Sequence, residues 1–265
     1  MDKKLYKGYV PPGRVFGPIY FVGIHSASTH IIDTGDGLIL IDPGCSESLW
    51  IVLDNIKELG FDPKDIKKII ISHGHYDHAG GTKELVALTG AKTYIGKDDI
   101  KMVTGEEDTA LCEDPDYRHK YSFVPDALLS DSDTISLGNI SILCLSTPGH
   151  TDGTMSFFFD VSDGERIFRA GMHGGVGLNT LSNEFLKSHC LPLSNQDKYI
   201  NSIEKVKAER VEIFLGNHVG NNDTEGKLCR VAKGEKDAFL APDEWQRFLD
   251  SKIIELNKLR NSNKV

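Results

Sequence analysis

The sequence predicts one large two-layered domain that mixes α and β structure. Apolar runs of strand length alternate with helix-period segments along most of the chain. Hairpin turn signals divide several of those runs. A length of 265 residues, 39% hydrophobic and 26% charged, suits a globular protein with a sizeable core.

The elements follow in order. Thr34-Gly35-Asp36-Gly37 lies between two apolar runs and reads as a hairpin turn. A helix is expected from Glu47 to Leu59, with Leu49, Leu53 and Ile56 on one face and Gly60 past its end. Ile66 to Ser72 is nearly continuous apolar sequence and reads as a buried strand. A helix from Gly81 to Thr89 stops at Gly90, and Ala91 to Ile95 is the next strand. Lys97 to Ser130 is the least regular stretch. Its Asp114, Tyr117, Arg118, His119 and Tyr121 are placed to overhang a site, with Arg118 either a surface charge or a contact for a substrate carboxylate. Thr134–Leu137 and Ile140–Leu145 flank Gly138-Asn139 as a second hairpin. Met155–Val161 and Arg166–Ala170 form a third across Ser162-Asp163-Gly164. Tyr199 to Lys207 is helical, and Val211 to Leu215 is a strand. The last helix opens at Pro242, and its stripe Trp245, Phe248, Leu249, Ile253 and Leu256 reads as a core face rather than a partner site. No short-period repeat and no Pro/Ser-rich linker divides the chain, so residues 1–265 are expected to form a single domain.

The chemistry concentrates in His73-Gly74-His75-Tyr76-Asp77-His78, directly after the apolar run Ile69-Ile70-Ile71. Neutral imidazole and carboxylate suit zinc and, less selectively, iron or manganese. His73 and His75 are two apart in an extended segment and can point the same way, whereas Asp77 and His78 are adjacent and must diverge. One cluster can therefore feed two neighbouring ions if other loops complete them. His150 in Thr147-Pro148-Gly149-His150-Thr151-Asp152-Gly153 and His218 in Leu215-Gly216-Asn217-His218 are candidates, each in a glycine-containing loop after a strand.

With these residues the chain resembles the metallo-β-lactamase superfamily, and most of all its subclass B3 β-lactamases and their relatives. The supporting segments are Ser72–Gly81, Thr147–Gly153, the paired strands around Thr34–Gly37 leading to Asp42-Pro43-Gly44, and Phe239–Trp245. The resemblance implies an α+β fold, an αββα sandwich of two mixed sheets face to face with helices outside and metals at one rim. It implies that His73, His75 and His150 bind one zinc ion and Asp77, His78 and His218 a second. The implied reaction is attack of metal-bound hydroxide on an amide or ester carbonyl, with Asp77 also orienting the nucleophile or accepting its proton, and β-lactam ring hydrolysis as the leading activity. Asp42 is expected either to hydrogen-bond a ligand histidine or only to turn the strand end. Tyr76 is either an oxyanion donor or packing.

The chain departs from many superfamily hydrolases in Ala170-Gly171-Met172-His173-Gly174-Gly175, where no carboxylate is available to bridge two metals. Subclass B3 enzymes also lack that carboxylate, but they usually carry a small polar residue where Met172 falls, and a thioether does not replace its hydrogen bond. His173 is read as a partner of a ligand, a substrate contact, a ligand after a local shift, or a solvent-facing loop residue.

Net charge of −9 without a basic stripe disfavours nucleic acid as a partner and leaves a small-molecule substrate. No run approaches the ~18 to 20 apolar residues of a membrane span. The first ten residues carry lysines with no apolar stretch behind them, so no secretory signal is read and a cytoplasmic location is expected. Five widely spaced cysteines without a C-x-x-C favour reduced thiols, and Cys45 lies in a loop that could face the site. Three other functions share these residues: a metabolic metallo-hydrolase acting on lactones, thioesters or other cyclic amides, an iron-dependent oxidoreductase, and a non-catalytic metal-stabilised binding protein.

Overall fold

A computed structural model describes residues 2–107, 110–114, 116 and 120–262. Two sheets carry the architecture. The first has seven strands in chain order: β1 (Gly13–Phe16), β2 (Ile19–Phe21), β3 (His30–Asp33), β4 (Leu38–Ile41), β5 (Ile66–Ile71), β6 (Lys92–Gly96) and β7 (Ala127–Leu129). β1 to β4 pair antiparallel and β4 to β7 parallel. The second sheet has the order β12 (Ile213–Phe214), β11 (Ile167–Met172), β10 (Met155–Ser162), β9 (Ile140–Ser146), β8 (Asp133–Leu137). It is antiparallel except for the parallel pair β11 and β12.

Strand alternation assigns the layers. Ile32, Ile39, Ile41 and Ile70 point into a core shared with Phe157, Phe159, Phe168 and Ile213 of the other sheet. Ile31, Leu40, Ile69 and Ile71 point the opposite way, against Leu49, Val52 and Ile56 of α1 (Leu49–Glu58) and Leu85 of α3 (Thr82–Thr89). The four-residue helix α2 (Tyr76–Ala79) lies between these two helices in the chain. The outer face of the second sheet, including Phe158 and Phe214, packs on α6 (Asn195–Val206) and α8 (Glu244–Ser262) through Tyr199, Ile203, Trp245 and Leu249. Smaller helices are α4 (Ile100–Thr104), α5 (Asn183–Ser188) and α7 (Thr224–Ala232). The result is the α+β sandwich, helix–sheet–sheet–helix, that the sequence implies.

Several boundaries differ from the sequence reading. The first long helix begins at Leu49 because Ser46–Ser48 forms a 3-10 turn. The run Val211–Leu215 has a core of only two strand residues, although Glu212 and Leu215 still donate to Arg169 and Gly171 of β11. The last helix starts at Glu244, since Pro242 sits inside the turn closed by Glu244 N–H on the Ala241 carbonyl. Tyr117, Arg118 and His119 lie outside the described residues. Among the described residues no helix is long and apolar enough to cross a membrane.

Strand direction gathers the chemistry. β4, β5 and β6 run parallel, and β9, β11 and β12 share one direction in the other sheet. The loops carrying Asp42, His73, His150, His173 and His218 all follow the ends of these strands, which places them together at one rim.

Candidate metal centre

The residues of the His73–His78 segment separate as their spacing suggests. His73 and His75 lie in the extended link between β5 and α2, and the first turn of α2 carries Asp77 and His78. The ligand atoms of His73, His75 and His150 all lie within 4.8 Å of one another, as do those of His73, Asp77 and His78. His218 joins the second group: its Nε2 is 3.3 Å from His78 Nε2 and 3.8 Å from Asp77 Oδ2. Asp77 Oδ2 is in turn 3.4 Å from His78 Nε2. His73 thus stands between an inner trio with His75 and His150 and an outer trio of Asp77, His78 and His218.

Hydrogen bonds fix which nitrogen of each ring is free. Ser72 Oγ donates to Asp42 Oδ2 at 2.7 Å, so at 3.0 Å from His73 Nδ1 it accepts. His78 Nδ1 donates to Asp42 Oδ2 at 2.8 Å, and His150 Nδ1 to the Gly177 carbonyl at 2.8 Å. His218 Nδ1 donates to the Ser26 carbonyl. In all four rings the proton is therefore on Nδ1, and Nε2 presents a lone pair to the shared space. His73 Nε2 is buried with no hydrogen-bond partner, an arrangement that leaves a desolvated acceptor unsatisfied. The facing Nε2 atoms of His78 and His218, 3.3 Å apart, call for a proton or a metal cation between them. The donor set therefore fits metal ions of the zinc type.

Electrostatics agree with this arrangement. Burial and the neighbouring imidazoles hold His73 and His75 well below the usual imidazole range. Burial brings His150 down to about 4 and also lowers His218. Burial acts downward on His78 as well, but Asp77 and Asp42 outweigh it and the shift is upward. His78 is thus the ring whose surroundings most favour positive charge.

Asp42 performs both roles that the sequence left open. It turns the end of β4 in the left-handed region, at φ 55°, which Asp tolerates better than most residues. Its carboxylate also accepts from Ser72 N–H and Oγ–H and from His78. Gly44 follows at φ 81°, and a Cβ there would contact Thr29 and Ser48.

One expectation needs correction, and two open readings are decided. Met172 does not face the metal ligands or a substrate. It is fully buried in the core between the sheets, grouped with Phe157, Ala170 and Ile213, because β11 continues through it. His173 is not a solvent-facing loop residue. Only 1% of it is exposed, burial lowers its pKa to about 3, and its Nδ1 accepts from Gly175 N–H at 3.3 Å. It belongs to neither close donor group among the described residues. Tyr76 directs its hydroxyl to Glu47 Oε2 at 2.5 Å and packs against Tyr121, so the oxyanion-donor reading gives way to one of packing at the rim. Cys45 is half-buried, and burial, then Glu47 and Asp77, push its thiol pKa up, which suppresses the thiolate.

One residue escaped the sequence reading. Asp99, at the end of a 3-10 turn after β6, is 1% exposed and accepts from Gly74 N–H, Thr151 Oγ–H and Gly153 N–H. Burial raises its pKa to about 6 against those hydrogen bonds. An acidic residue just after a strand end was the available signal, but nothing in the sequence shows which loops it meets. Met102, Phe185 and Leu191 form the apolar wall of a recess that also reaches His75 and His150.

Comparison with known proteins follows the same lines. The model of the metallo-beta-lactamase superfamily matches residues 22–218. The probable polyketide biosynthesis zinc-dependent hydrolase PksB of Bacillus subtilis is 28% identical over 189 residues, 69% of this chain and 68% of that protein. The hydroxyacylglutathione hydrolase of Hahella chejuensis is 29% identical over 137 residues, 51% of this chain but only 42% of that protein. The native FEZ-1 metallo-beta-lactamase of Legionella gormanii superposes with a TM-score of 0.87 at 26% identity, covering 98% of this chain and 99% of that one.

Proposed function

This chain belongs to the metallo-beta-lactamase superfamily and is a metal-dependent hydrolase, and on that premise we propose that it uses two zinc ions to open a cyclic amide or ester, with β-lactams as the leading substrates. One observation carries the reading: four Nδ1-protonated imidazoles aim bare Nε2 lone pairs into one space that Asp77 also borders. His73, His75 and His150 would hold one ion, and Asp77, His78 and His218 the other. The ions supply Lewis acidity and acidify water to near neutrality.

The chain's own residues do the rest. Asp42 and the Gly177 and Ser26 carbonyls keep each ring in the ligating tautomer and orientation. Asp77, with its side chain 36% exposed, is the carboxylate at the open face and can hold a proton released during attack. The wall of Met102, Phe185 and Leu191 lines the recess beside His75 and His150 and offers a surface for an apolar substituent.

The match to a hydroxyacylglutathione hydrolase supports a second reading, a metabolic hydrolase of thioesters or lactones with little action on β-lactams. Elemental analysis of the purified protein, paired on the same sample with nitrocefin, lactone and thioester hydrolysis, separates them. Two zinc ions per chain with nitrocefin turnover is the expected result. Thioester or lactone turnover alone would select the second reading. Stoichiometric iron with a visible absorption band and no hydrolysis would overturn both.

A further inference from the structure

Asp99 makes three hydrogen bonds to the two segments that carry His73, His75 and His150 and, among the described residues, none to Asp77, His78 or His218 themselves. Its Oδ2 accepts from Gly74 N–H at 2.8 Å, and Gly74 is the residue between His73 and His75. The same oxygen accepts from Thr151 Oγ–H at 2.7 Å, next to His150. Oδ1 accepts from Gly153 N–H at 2.7 Å, at the end of the His150 loop. One carboxylate thus spans the two loops that carry His73, His75 and His150.

The chemistry of these partners is selective. Gly74 and Gly153 offer only backbone N–H groups, one to each carboxylate oxygen. An asparagine would turn an NH2 toward one of them, leaving two donors face to face in a buried place. The packing leaves little slack. A Cβ on Gly153 would lie 2.4 Å from Asp99 N, one on Gly96 would lie 1.9 Å from the Gly153 carbonyl oxygen, and one on Gly74 would lie 2.8 Å from Met102 Cβ. The other buried carboxylate, Asp42, bonds His78 directly and reaches His73 only through Ser72.

We propose that Asp99 is a positioning residue that sets the spacing of the His73–His75 and His150 loops and so tunes the inner ion independently of the outer one. The inference rests on the two-ion reading above, and it assigns Asp99 to the inner ion alone, whereas Asp42 serves His78 directly and His73 through Ser72.

The test is a metal titration of apo-protein with Co²⁺ against a chelating competitor, read by visible absorption. His75→Ala and His218→Ala identify which equivalent belongs to which trio. Asp99→Asn is expected to weaken the inner equivalent by roughly 10- to 100-fold and leave the outer one within about 3-fold. Thr151→Val removes one hydrogen bond and should weaken the same equivalent by about 5-fold, which keeps the inference testable if Asp99→Asn does not fold. Asp99→Glu should recover part of the loss. Thermal unfolding of each apo-variant separates positioning from general stability. Unchanged inner affinity, equal loss at both equivalents, or a loss that merely follows a lowered apo melting temperature would overturn the inference. A wild-type chain that takes up a single equivalent would sink the two-ion reading. Asp99 would then be judged by whether its replacement weakens that one equivalent.

Discussion

The inner and outer halves of the metal centre are built from the same side-chain types but in different surroundings. His73, His75 and His150 are 1%, 3% and 8% exposed. In the outer trio only His78 is fully buried, while the side chains of Asp77 and His218 are 36% and 35% exposed. The inner half is held by the Gly177 carbonyl, Ser72 and Asp99, deep between the two sheet ends. The outer half is held by Asp42 on one side and by the Ser26 carbonyl on the other. His73 Nε2, buried with no partner, carries a desolvation cost that an ion held by the inner trio would relieve, so under the two-ion reading that ion would stabilise the fold as well. The exposed outer half leaves room for an incoming substrate.

Replacement of single ligands is the strongest way to break this comparison. His75→Ala is expected to remove about one ion per chain and lower turnover by roughly 10³-fold or more. His218→Ala should spare the inner ion, and elemental analysis of the two variants should show different residual occupancy in chelator. Equal occupancy in both would erase the distinction between the halves.

Met172→Ser probes the floor beneath both halves. Because Met172 is fully buried among aromatic and aliphatic side chains, the substitution leaves a cavity and buries a hydroxyl. It should cost about 2 to 5 kcal/mol in denaturant unfolding without a gain in β-lactam turnover. A gain in turnover at unchanged stability would return Met172 to the site.

Asp42→Asn sharpens the outer half. Asparagine also tolerates the left-handed backbone at this position, so the change tests the carboxylate. Outer-ion affinity should fall roughly 10- to 100-fold in competition with a chelator, with a smaller loss at the inner ion, which Asp42 reaches only through Ser72 and His73. The smallest effect belongs to Tyr76→Phe. Losing the hydroxyl bond to the exposed Glu47 should change stability by about 1 kcal/mol or less, with kcat near wild type. A large loss of kcat would restore Tyr76 as a participant in the reaction.

The sequence was most legible where period and turn chemistry act locally. The nearly continuous apolar run from Ile66 marked a buried strand, and Gly35 and Gly37 at positive φ made the predicted hairpin. The order of His73, His75, Asp77 and His78 announced divergent directions because an extended segment runs straight into a helical turn. What stayed hidden depended on distant contacts. β1 and β2 are short and lack a strong alternating signal, and their burial comes from the opposite sheet. Asp99 reads as one more acid in an irregular stretch until Gly74 and Gly153 are brought to it from 25 and 54 residues away. Met172 misled because the strand was expected to end at Ala170, whereas β11 extends two pairs further, through Gly171 and Met172, and places Met172 in the core.

The bond between His218 and the Ser26 carbonyl joins residues 192 apart, and His78 meets His218 across 140. Contacts of such sequence separation form late, since a long stretch of chain must close before they stabilise anything. The inner trio and the Gly177 carbonyl that holds His150 need only the span from 73 to 177, so they can assemble before the last strand docks. Refolding with metal present should therefore show two uptake phases. The slower one would time the moment at which the C-terminal third of the chain settles against the N-terminal strands.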